Sequence, residues 1–451
     1  DQRRHFCEEE VRLNRRLAPE VYLGVVPISD HAGQLRLEGE GEPIEWAVKM
    51  RRLPAEATLL RYFERGKLSE GTVAALAERI ADFHRQAESS PSIAEFGRFD
   101  IVAANARDNI AQASNQVGAA ISATVLERLR SLIEEHLARL RPLIEARAQR
   151  GMPRDTHGDL HLDHVYCFPD RQPPADLVVI DCIEFNERFR YSDPIADMAF
   201  LVMDFTFQGR HDFARTFADA YMRAANDEEG RSLIPWYSAY RSAVRGKVEG
   251  MKSTEAEVPA EERQRALMSS RAHWLLALSE LESPDRRPCL ILTGGLPGAG
   301  KSTLARGLAR HAGVEVIRSD VVRKELAATT GIDVADKQVL YSAEWTERTY
   351  AECRRRAEAM LFEGRRVLVD ASFVEEARRR TLLEAARHWS VPAVFIVCTT
   401  DAETAKQRLA ARHGDASDAD WSIHQLAATR WEPPGEPTRS VLREISTHGS
   451  T

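Results

Sequence analysis

One segment of the chain combines closely spaced glycines with a lysine and a hydroxyl side chain. It reads Gly295-Leu296-Pro297-Gly298-Ala299-Gly300-Lys301-Ser302 and matches the pattern G-x-x-x-x-G-K-[ST]. Glycines in such a loop let successive backbone N–H groups converge on phosphate oxygens, and the dipole of a following helix adds positive charge. The lysine would reach the outer phosphates of ATP, and the serine hydroxyl would bind Mg²⁺. The predicted nucleotide-binding residues are Gly295, Pro297, Gly298, Ala299, Gly300, Lys301, Ser302 and Thr303.

The flanking residues supply the context that this motif needs. The apolar run Cys289–Thr293 predicts a buried strand before the loop, and Thr303–His311 predicts a helix after it. The competing interpretation is a Gly/Pro-rich turn that matches the pattern by chance, and the flanking strand and helix argue against it.

An aspartate follows the second predicted strand of this region. Asp320 comes directly after 316–319, and Arg323 follows within one helical turn. A carboxylate at the C-terminal end of a strand lies on the ligand side of an open α/β sheet. Asp320 would accept a proton from an attacking hydroxyl while Arg323 orients the acceptor. The competing role of Asp320 is that of an N-cap for the next helix, and the two roles can coexist.

Three further residues complete the predicted phosphate site. Asp370 ends the apolar run 366–370 and is predicted to hold Mg²⁺ together with Ser302; the alternative is a turn residue. Arg408 and Arg412 are four residues apart, so on a helix they would share a face. They follow the fourth strand, where lid arginines would neutralise charge on the transferring phosphoryl group. The alternative for both arginines is a solvated basic helix face.

A second cluster of chemically active side chains lies in the first half of the chain. The segment 156–165 contains three histidines and two aspartates, and Asp181 closes an apolar run shortly afterwards. Two loops flanked by strands can present one carboxylate to an acceptor and another to a metal ion. The competing role of Asp159 is that of a turn residue that binds local backbone amides. His157 is expected to brace the loop, and Asp193 and Asp197 are expected to cap a helix.

The elements that must position these residues fall into two parts. The segment Ser283–Pro288 carries two prolines and three charges and predicts a boundary between domains 1–283 and 284–451. The second part alternates strands and helices, which predicts an α/β domain with a parallel sheet. Its predicted strands are Cys289–Thr293, Val314–Ile317, Val367–Val369, Ala393–Cys398 and, less regularly, Ser440–Ile445. The first part is α+β, with a leading helix at about 4–17, strands at 22–28 and 46–50, and mostly helices after residue 70.

The motif at Gly295–Ser302, followed by Ser319-Asp320-Val321-Val322-Arg323, resembles the P-loop kinases related to gluconate kinase, zeta toxin and the kinase domain of polynucleotide kinase. The resemblance covers Cys289 to about Trp431. It implies phosphoryl transfer to a hydroxyl, with Asp320 as base and Arg323 as acceptor-binding residue. It does not define the acceptor.

The segment Thr156–Val165 with Asp181 resembles the catalytic and metal-binding segments of aminoglycoside phosphotransferases, which are relatives of protein kinases. The resemblance implies that Asp159 is the catalytic base and that Asp181 holds Mg²⁺. His164 departs from this pattern because the family has a metal-binding asparagine there. Mg²⁺ prefers hard oxygen ligands, so His164 is a poor replacement.

The same resemblance predicts an incomplete N-lobe for the first domain. No Gly-rich flap precedes the first helix, which carries Glu8, Glu9 and Glu10. This helix resembles the one that supplies the ion-pairing glutamate, so the flap and its lysine would lie before Asp1. Lys49 follows the helix and is therefore rejected as the paired lysine. The alternative for the glutamates is a solvated helix face. As a whole, the chain is similar to bacterial proteins that join an aminoglycoside-phosphotransferase-like domain to a P-loop kinase.

Composition excludes several other classes of protein. The 451 residues carry 62 Lys+Arg against 69 Asp+Glu, a net charge of −7, which argues against a nucleic-acid partner. No run approaches the roughly 20 apolar residues of a membrane span. Six scattered cysteines without a C-x-x-C pair predict reduced thiols and a cytoplasmic location.

The sequence therefore predicts an ATP- and Mg²⁺-dependent kinase with a small-molecule hydroxyl acceptor and its main site in the P-loop domain. One alternative makes the first domain a non-catalytic ligand-binding or regulatory module. Another makes the P-loop domain a polynucleotide or toxin-like kinase.

Overall fold

The computed structural model describes residues 2–31, 33–333, 336–412, 417 and 419–448, apart from the side chains of His31 and Lys337. The chain forms two compact units. Unit 1 comprises Asp1–Asn109 and Ile133–Ser242, and unit 2 comprises Ile110–Leu132 and Ala243–Thr451. Asp1 begins the first predicted domain and Thr451 ends the second, and both residues lie outside the described residues.

The units do not divide at residue 283, where the sequence predicts the boundary. Residues 243–283 and 110–132 group with the P-loop region. The contacts of Arg128 show the reason, because its guanidinium donates to Glu282 at 2.5 Å and to the carbonyl oxygen of Gly364 at 2.7 Å. The domain boundary at 284–288 stays a prediction from the sequence.

Short strands and long helices build the first half of the chain. The helices are α1 (Gln2–Asn14), α2 (Leu59–Glu64), α3 (Glu70–Gln86), α4 (Pro91–Phe96), α5 (Phe99–Gln112), α6 (Ala123–Gln149), α7 (Glu187–Arg190), α8 (Pro194–Phe207), α9 (His211–Ala225) and α10 (Ile234–Lys252). The strands are β1 (Tyr22–His31), β2 (Gln34–Leu37), β3 (Pro43–Met50), β4 (Arg154–Asp155), β5 (Val165–Cys167), β6 (Leu177–Val179) and β7 (Tyr191–Ser192).

Three antiparallel strands in the order β2-β1-β3 form the first sheet, on which α1 packs. The two strands predicted from sequence are β1 and β3. The strand β2 was not predicted, because its polar/apolar alternation lasts only four residues, and all four are exposed. The helix α1 ends at Asn14, three residues before the predicted end, and Leu17 is buried in the turn that follows.

The histidine-rich segment is positioned by a small hairpin and a buried helix. Strands β5 and β6 pair antiparallel. The helix α8 is buried around almost its whole circumference, with Met198, Leu201 and Phe205 fully enclosed. A helix that is apolar on all sides has no amphipathic period, which explains why sequence periodicity did not define its bounds.

Unit 2 is built on a five-stranded parallel sheet in the order β12-β11-β8-β10-β9. Its strands are β8 (Cys289–Gly294), β9 (Glu315–Arg318), β10 (Arg366–Asp370), β11 (Ala393–Thr399) and β12 (Leu442–Ser446). Each coincides with a predicted strand to within two residues. Leu290, Leu292 and Val367–Val369 are inaccessible to solvent, which matches the continuous apolar runs of a sheet covered on both faces.

Helices connect these strands: α11 (Ala260–Leu281) precedes the sheet, and α12 (Lys301–Ala312), α13 (Ser319–Thr330), α14 (Lys337–Leu340), α15 (Ala343–Phe362), α16 (Glu376–His388), α17 (Ala402–Ala410), α18 (Trp421–Arg430) and α19 (Glu436–Ser440) follow in chain order. The predicted α/β domain with a parallel sheet is confirmed. No described helix of either unit combines the length and apolar content of a membrane span.

Candidate active site

The P-loop connects the central strand β8 to the helix α12. Gly295, Gly298 and Gly300 all have left-handed φ values, of +131°, +86° and +83°. A Cβ atom at Gly298 would lie 2.8 Å from the carbonyl oxygen of Ala405, so that position has no space for a side chain. The loop therefore needs glycine for its backbone conformation and for its close approach to α17.

Lys301 is the first residue of α12, and its ammonium group lies inside the loop. Its Nζ donates to the carbonyl oxygens of Gly295 at 2.8 Å and Leu296 at 3.0 Å. Burial lowers the pKa of Lys301, and the nearby Asp370 carboxylate opposes that shift. No side chain caps the N-terminus of α12, because the N-cap residue is Gly300. An uncapped helix start beside an ammonium group fits the phosphates of a nucleotide.

Ser302 and Asp370 form the second feature of this site. The Ser302 hydroxyl donates to Asp370 Oδ2 at 2.8 Å, and Thr293 Oγ1 lies 3.4 Å from the other carboxylate oxygen. Asp370 ends β10, adjacent to the strand that leads into the P-loop. Burial raises the pKa of Asp370, while Lys301 and the Ser302 hydrogen bond act against that rise. The paired hydroxyl and carboxylate are the oxygen donors that Mg²⁺ prefers.

Asp320 lies one strand further along the sheet, in the first turn of α13. Both of its carboxylate oxygens accept from the guanidinium of Arg318, at 3.2 and 2.6 Å. Arg318 is in register with Asp370 on the neighbouring strand, so the two carboxylates lie at the same edge of the sheet. The N-cap of α13 is Arg318 and no side chain caps it, so the competing N-cap role for Asp320 is wrong. Sequence reasoning missed Arg318, although it ends the strand two residues before the aspartate.

Arg323 contacts α14, α15 and the turn between them. Its guanidinium donates to the carbonyl oxygen of Leu340 and to Thr346 Oγ1, and it lies 4.9 Å from the centre of the Tyr341 ring. Burial lowers the pKa of Arg323, and the positive charge of Arg378 adds to that effect. Arg378 was not predicted, because it lies in a run of three arginines on α16 that is typical of a solvated face.

The two predicted lid arginines do not share a helix face. The helix α17 ends at Ala410, so Arg412 lies beyond it. The prediction of one common face is wrong because the i, i+4 spacing applies only while the helix continues. The charge of Arg412 is nevertheless among those that lower the pKa of Lys301.

Arg408 reaches the P-loop through a residue near the end of the chain. Its guanidinium contacts Thr447 Oγ1 at 3.1 Å and the Thr447 carbonyl oxygen at 2.7 Å. The Thr447 hydroxyl lies 3.0 Å from the carbonyl oxygen of Ala299 in the loop. His424 supports the same loop, with Nδ1 2.7 Å from the carbonyl oxygen of Pro297. No sequence signal marked Thr447 or His424, since both act through tertiary contacts.

In unit 1, a buried carboxylate holds the histidine-rich loop in place. Asp197 on α8 accepts from the backbone amides of His157 at 3.1 Å and Gly158 at 2.8 Å. Its Oδ2 also lies 3.0 Å from Nε2 of the buried His84. Asp197 is therefore a support for the loop, and the prediction that it caps a helix is wrong. Asp193 does cap α8, because it accepts from the amide of Ile195.

The ring of His157 braces this loop as predicted. Its Nε2 lies 2.9 Å from the carbonyl oxygen of Ile180, and its Nδ1 accepts from the amide of Asp159 at 3.3 Å. Burial lowers the pKa of His157 to about 4, so the ring is neutral at physiological pH. A neutral ring with one donor and one acceptor nitrogen matches these two contacts.

The predicted catalytic and metal-binding carboxylates of unit 1 both lie beside His164. Its Nε2 is 3.1 Å from Asp181 Oδ2, and its Nδ1 is 2.9 Å from the carbonyl oxygen and 3.7 Å from Oδ2 of Asp159. His161 adds a second ring, with Nε2 3.5 Å from Asp159 Oδ2. The contact with His164 lowers the pKa of Asp181. Sequence reasoning assigned no role to His161.

Lys49 and the glutamates of α1 do not form an ion pair with each other. Lys49 Nζ contacts Glu38 at 2.8 Å, and both side chains are about half exposed. Glu10 lies near Glu184 and Asp181, whose charges add to the effect of burial in raising its pKa. The rejection of Lys49 as the partner of α1 therefore agrees with its contacts.

Comparison with known proteins identifies both parts of the chain. Residues 3–234 match the family model described as "Phosphotransferase enzyme family", and residues 290–434 match the one described as "AAA domain". The uncharacterized protein Rv2004c of Mycobacterium tuberculosis is 32% identical over 433 residues, which cover 95% of this chain and 83% of the relative. The uncharacterized protein Mb2027c of Mycobacterium bovis matches to the same extent.

Solved structures of a gluconokinase and a sugar kinase each match about a third of the chain. A gluconokinase from Sinorhizobium meliloti 1021 is 19% identical and covers 36% of this chain and 85% of its own, with a TM-score of 0.27. A sugar kinase from Janibacter sp. HTCC2649 is 22% identical and covers 35% of this chain and 84% of its own, also with a TM-score of 0.27. At this similarity, neither activity is transferred to the present chain.

The family matches and the P-loop geometry agree on the class of chemistry, which is phosphate transfer by a kinase-type enzyme. The chain belongs to the phosphotransferase enzyme family, in a two-domain form that joins an aminoglycoside-phosphotransferase-like domain to a P-loop kinase-like domain.

Proposed function

We propose that the P-loop domain is the main active site and that it transfers the γ-phosphoryl group of ATP to a hydroxyl group of a small molecule. One observation carries this proposal. Lys301, the Ser302–Asp370 pair and Asp320 follow or end three neighbouring strands, β8, β10 and β9, at one edge of the sheet. Phosphoryl transfer needs a phosphate cradle, a metal site and an acceptor base in one cleft.

The nucleotide end of this cleft consists of the loop 295–300 and the start of α12. Backbone N–H groups at the uncapped helix start would bind phosphate oxygens, and Lys301 would exchange its carbonyl partners for them. Ser302 and Asp370 would hold Mg²⁺. When bound, Mg²⁺ would neutralise charge on the phosphate oxygens.

The acceptor end consists of Asp320 and the arginines around it. Asp320 would accept the hydroxyl proton of the acceptor, which requires at least one carboxylate oxygen to be released from Arg318. The charges of Arg318, Arg323 and Arg378 lie near this edge of the sheet and favour an acceptor that carries an anionic group. Among polyols, sugars and nucleotide-sugars, we therefore expect the anionic members to be the better acceptors. Arg408 and Arg412 would stabilise the transferring group from the side of α17.

The test is transfer of ³²P from ATP to a panel of polyols, sugar acids, sugar phosphates and nucleotide-sugars, with a 5′-hydroxyl oligonucleotide as a further acceptor. Lys301→Ala is expected to abolish transfer, and Lys406→Ala, which removes an exposed lysine of α17, is the matched control. Transfer that survives in Lys301→Ala would exclude the P-loop domain as the main site. Labelling of the oligonucleotide alone would replace the small-molecule acceptor with a nucleic acid.

A second function is favoured for unit 1 by the contacts of His164. Its ring contacts both carboxylates that a phosphotransferase would need free for acceptor and metal. We propose that this domain binds a ligand without turning it over and regulates the P-loop domain. Asp159→Ala is then expected to change ligand affinity but not the maximal rate, whereas loss of turnover would assign Asp159 the role of catalytic base.

A further inference from the structure

The imidazole and carboxylate groups of the histidine-rich loop converge on one small volume. Asp159, His161 and His164 each offer a ligand atom, and these atoms lie within 4.8 Å of one another. The centres of the His161 and His164 rings are 3.7 Å apart. Asp181 adds a carboxylate oxygen 3.1 Å from His164 Nε2. Among the described residues, Asp159, His161 and His164 form the group of three or more potential ligands whose ligand atoms all lie this close together.

These donors do not fit Mg²⁺ well. Mg²⁺ prefers six oxygen ligands in a near-ideal octahedron and keeps several waters, whereas this set contains two imidazoles. Imidazole together with carboxylate suits Zn²⁺ and neighbouring transition metals, and Zn²⁺ accepts four such ligands in a tetrahedron. The substitution of the family's asparagine by His164 therefore changes the class of metal ion that the loop can hold.

The surroundings of the cluster orient its ligands before any ion binds. The Nδ1 atom of His164 is 2.9 Å from the carbonyl oxygen of Asp159, which leaves Nε2 as the nitrogen that points to Asp181. A hydrogen bond from one ring nitrogen to a backbone carbonyl is typical of metal-ligating histidines. His161 is 8% exposed and packs against Phe200.

The backbone of the loop is held equally firmly. Asp197 binds the amides of His157 and Gly158, and Asp204 accepts from the amide of Leu162 at 2.9 Å. Asp181, which contacts His164 Nε2 outside this group of three, has a side chain that is 64% exposed. A loop fixed on both sides of its ligands has little conformational entropy left to lose on binding an ion.

We propose that Asp159, His161 and His164 form a site for one divalent transition-metal ion of the Zn²⁺ class, bound in preference to Mg²⁺. An ion held by these three side chains occupies Asp159, the carboxylate that would act as the base in phosphoryl transfer by unit 1. The site is independent of the P-loop, so its occupancy can be measured without any kinase assay.

The test is metal binding to the full chain after treatment with a chelator and desalting. Calorimetric titration with ZnCl₂ is expected to give one tight site per chain, and Co²⁺ is expected to give the visible absorption of a tetrahedral complex. His164→Asn and His161→Asn are each expected to weaken Zn²⁺ binding at least about tenfold, as loss of one ligand or its support does. His388→Asn, an exposed histidine of α16, is the matched control and is expected to bind as the unaltered chain does.

Three results would overturn the proposal: no stoichiometric uptake of Zn²⁺, equal affinity for Mg²⁺ and Zn²⁺, or unchanged Zn²⁺ binding in both histidine variants. Asp159→Asn provides a second measurement if the histidine variants do not fold, since the Asp159 side chain is 31% exposed. Lys301→Ala is expected to bind Zn²⁺ normally, which separates failure of this proposal from failure of the proposed kinase activity.

Discussion

Two loops of this chain bring carboxylates together with basic side chains, and they differ in what lies beside the acid. In the P-loop region, Asp370 accepts from the hydroxyl of Ser302 and lies near the ammonium of Lys301. In unit 1, Asp159 and Asp181 lie beside the rings of His161 and His164. The first set offers hard oxygen ligands and phosphate-binding charge, whereas the second offers borderline nitrogen ligands.

This difference shows that matching carboxylate positions do not define a kinase site. The side chains that share the cleft determine which ion can enter and which proton can move. The buried aspartate beside each loop also has a different environment in the two regions. Asp197 is buried among three donors that stabilise its charge, and Asp370 is buried where its charge costs free energy in the absence of ligand.

The largest expected effect comes from the proposed base. Asp320→Asn keeps the shape of the side chain but cannot accept the hydroxyl proton, so the turnover number is expected to fall by about 10²–10⁴-fold. ATP affinity, measured by equilibrium binding, is expected to stay within about twofold, because the P-loop contacts are untouched.

The matched substitution in the other loop sharpens the comparison. Asp159→Asn is expected to change the turnover number by less than about twofold, since we place the main site in the P-loop domain. A large loss in Asp159→Asn with normal turnover in Asp320→Asn would reverse the assignment of the two regions.

The next effect concerns the support of the histidine-rich loop. Asp197→Asn removes a buried charge that three donors share, and the free energy of unfolding of unit 1 is expected to fall by about 3 kcal/mol. Burial raises the pKa of Asp197, but the hydrogen bond with His84 and the surrounding charges, including that of Arg241, outweigh burial and lower the pKa to about 2, below its value in an unfolded chain. Its contribution is therefore present above about pH 4 and is lost as pH falls towards 2.

Urea denaturation at several pH values, followed by the fluorescence of the folded chain, measures this contribution. In the unaltered chain, Asp197 makes part of the free energy of unfolding depend on pH in the acid range. Asp197→Asn is expected to lack this pH-dependent part. Equal stability of the variant and the unaltered chain at pH 7 would contradict the assigned role.

The corresponding substitution in the P-loop region is expected to act in the opposite direction. Burial raises the pKa of Asp370, so the folded chain binds this proton more tightly than the unfolded chain does. Ionised Asp370 therefore destabilises the folded chain. This loss of stability appears as pH rises from about 4 through the pKa of Asp370 in the folded chain. Asp370→Asn is expected to raise the thermal midpoint at pH 7, by less than Asp197→Asn lowers it. A lower midpoint in both variants would show that the two buried carboxylates do not differ as described.

The sequence predicted the P-loop sheet closely because each strand is a continuous apolar run between charged helices. It also predicted that Lys301, Ser302, Asp320 and Asp370 end or follow strands of this sheet, since local spacing alone determines a P-loop and strand-ending acids. It did not identify Arg318 as the partner of Asp320 or Thr447 as the link to Arg408. The Arg408–Thr447 contact joins residues 39 positions apart through the fold, so composition near each residue carries no sign of it, whereas Arg318 lies only two residues before Asp320 and was overlooked.

In unit 1, the sequence located the loop but misjudged its support. Asp197 matched the pattern of a helix start, whereas in the structure it binds a loop 39 residues earlier in the chain. The helix α8 that carries Asp197 is apolar on all sides, so periodicity could not show which residues point to the loop. Long-range hydrogen bonds to buried backbone amides are the kind of interaction that local patterns cannot encode.

The smallest effect is expected for Lys49→Ala. This substitution tests whether a lysine on a described strand of unit 1 acts as the lysine of a protein-kinase-like site. Lys49 is the candidate at the end of β3, but its Nζ contacts Glu38 and its side chain is 49% exposed. An exposed ion pair contributes about 0–1 kcal/mol, so Lys49→Ala is expected to alter stability by no more than that. Phosphate transfer and Zn²⁺ binding are expected to be unchanged, because neither proposed site contains Lys49. A loss of transfer in Lys49→Ala comparable to that in Lys301→Ala would mean that the lysine moves to the nucleotide during turnover, and unit 1 would then be a second phosphate-transferring site.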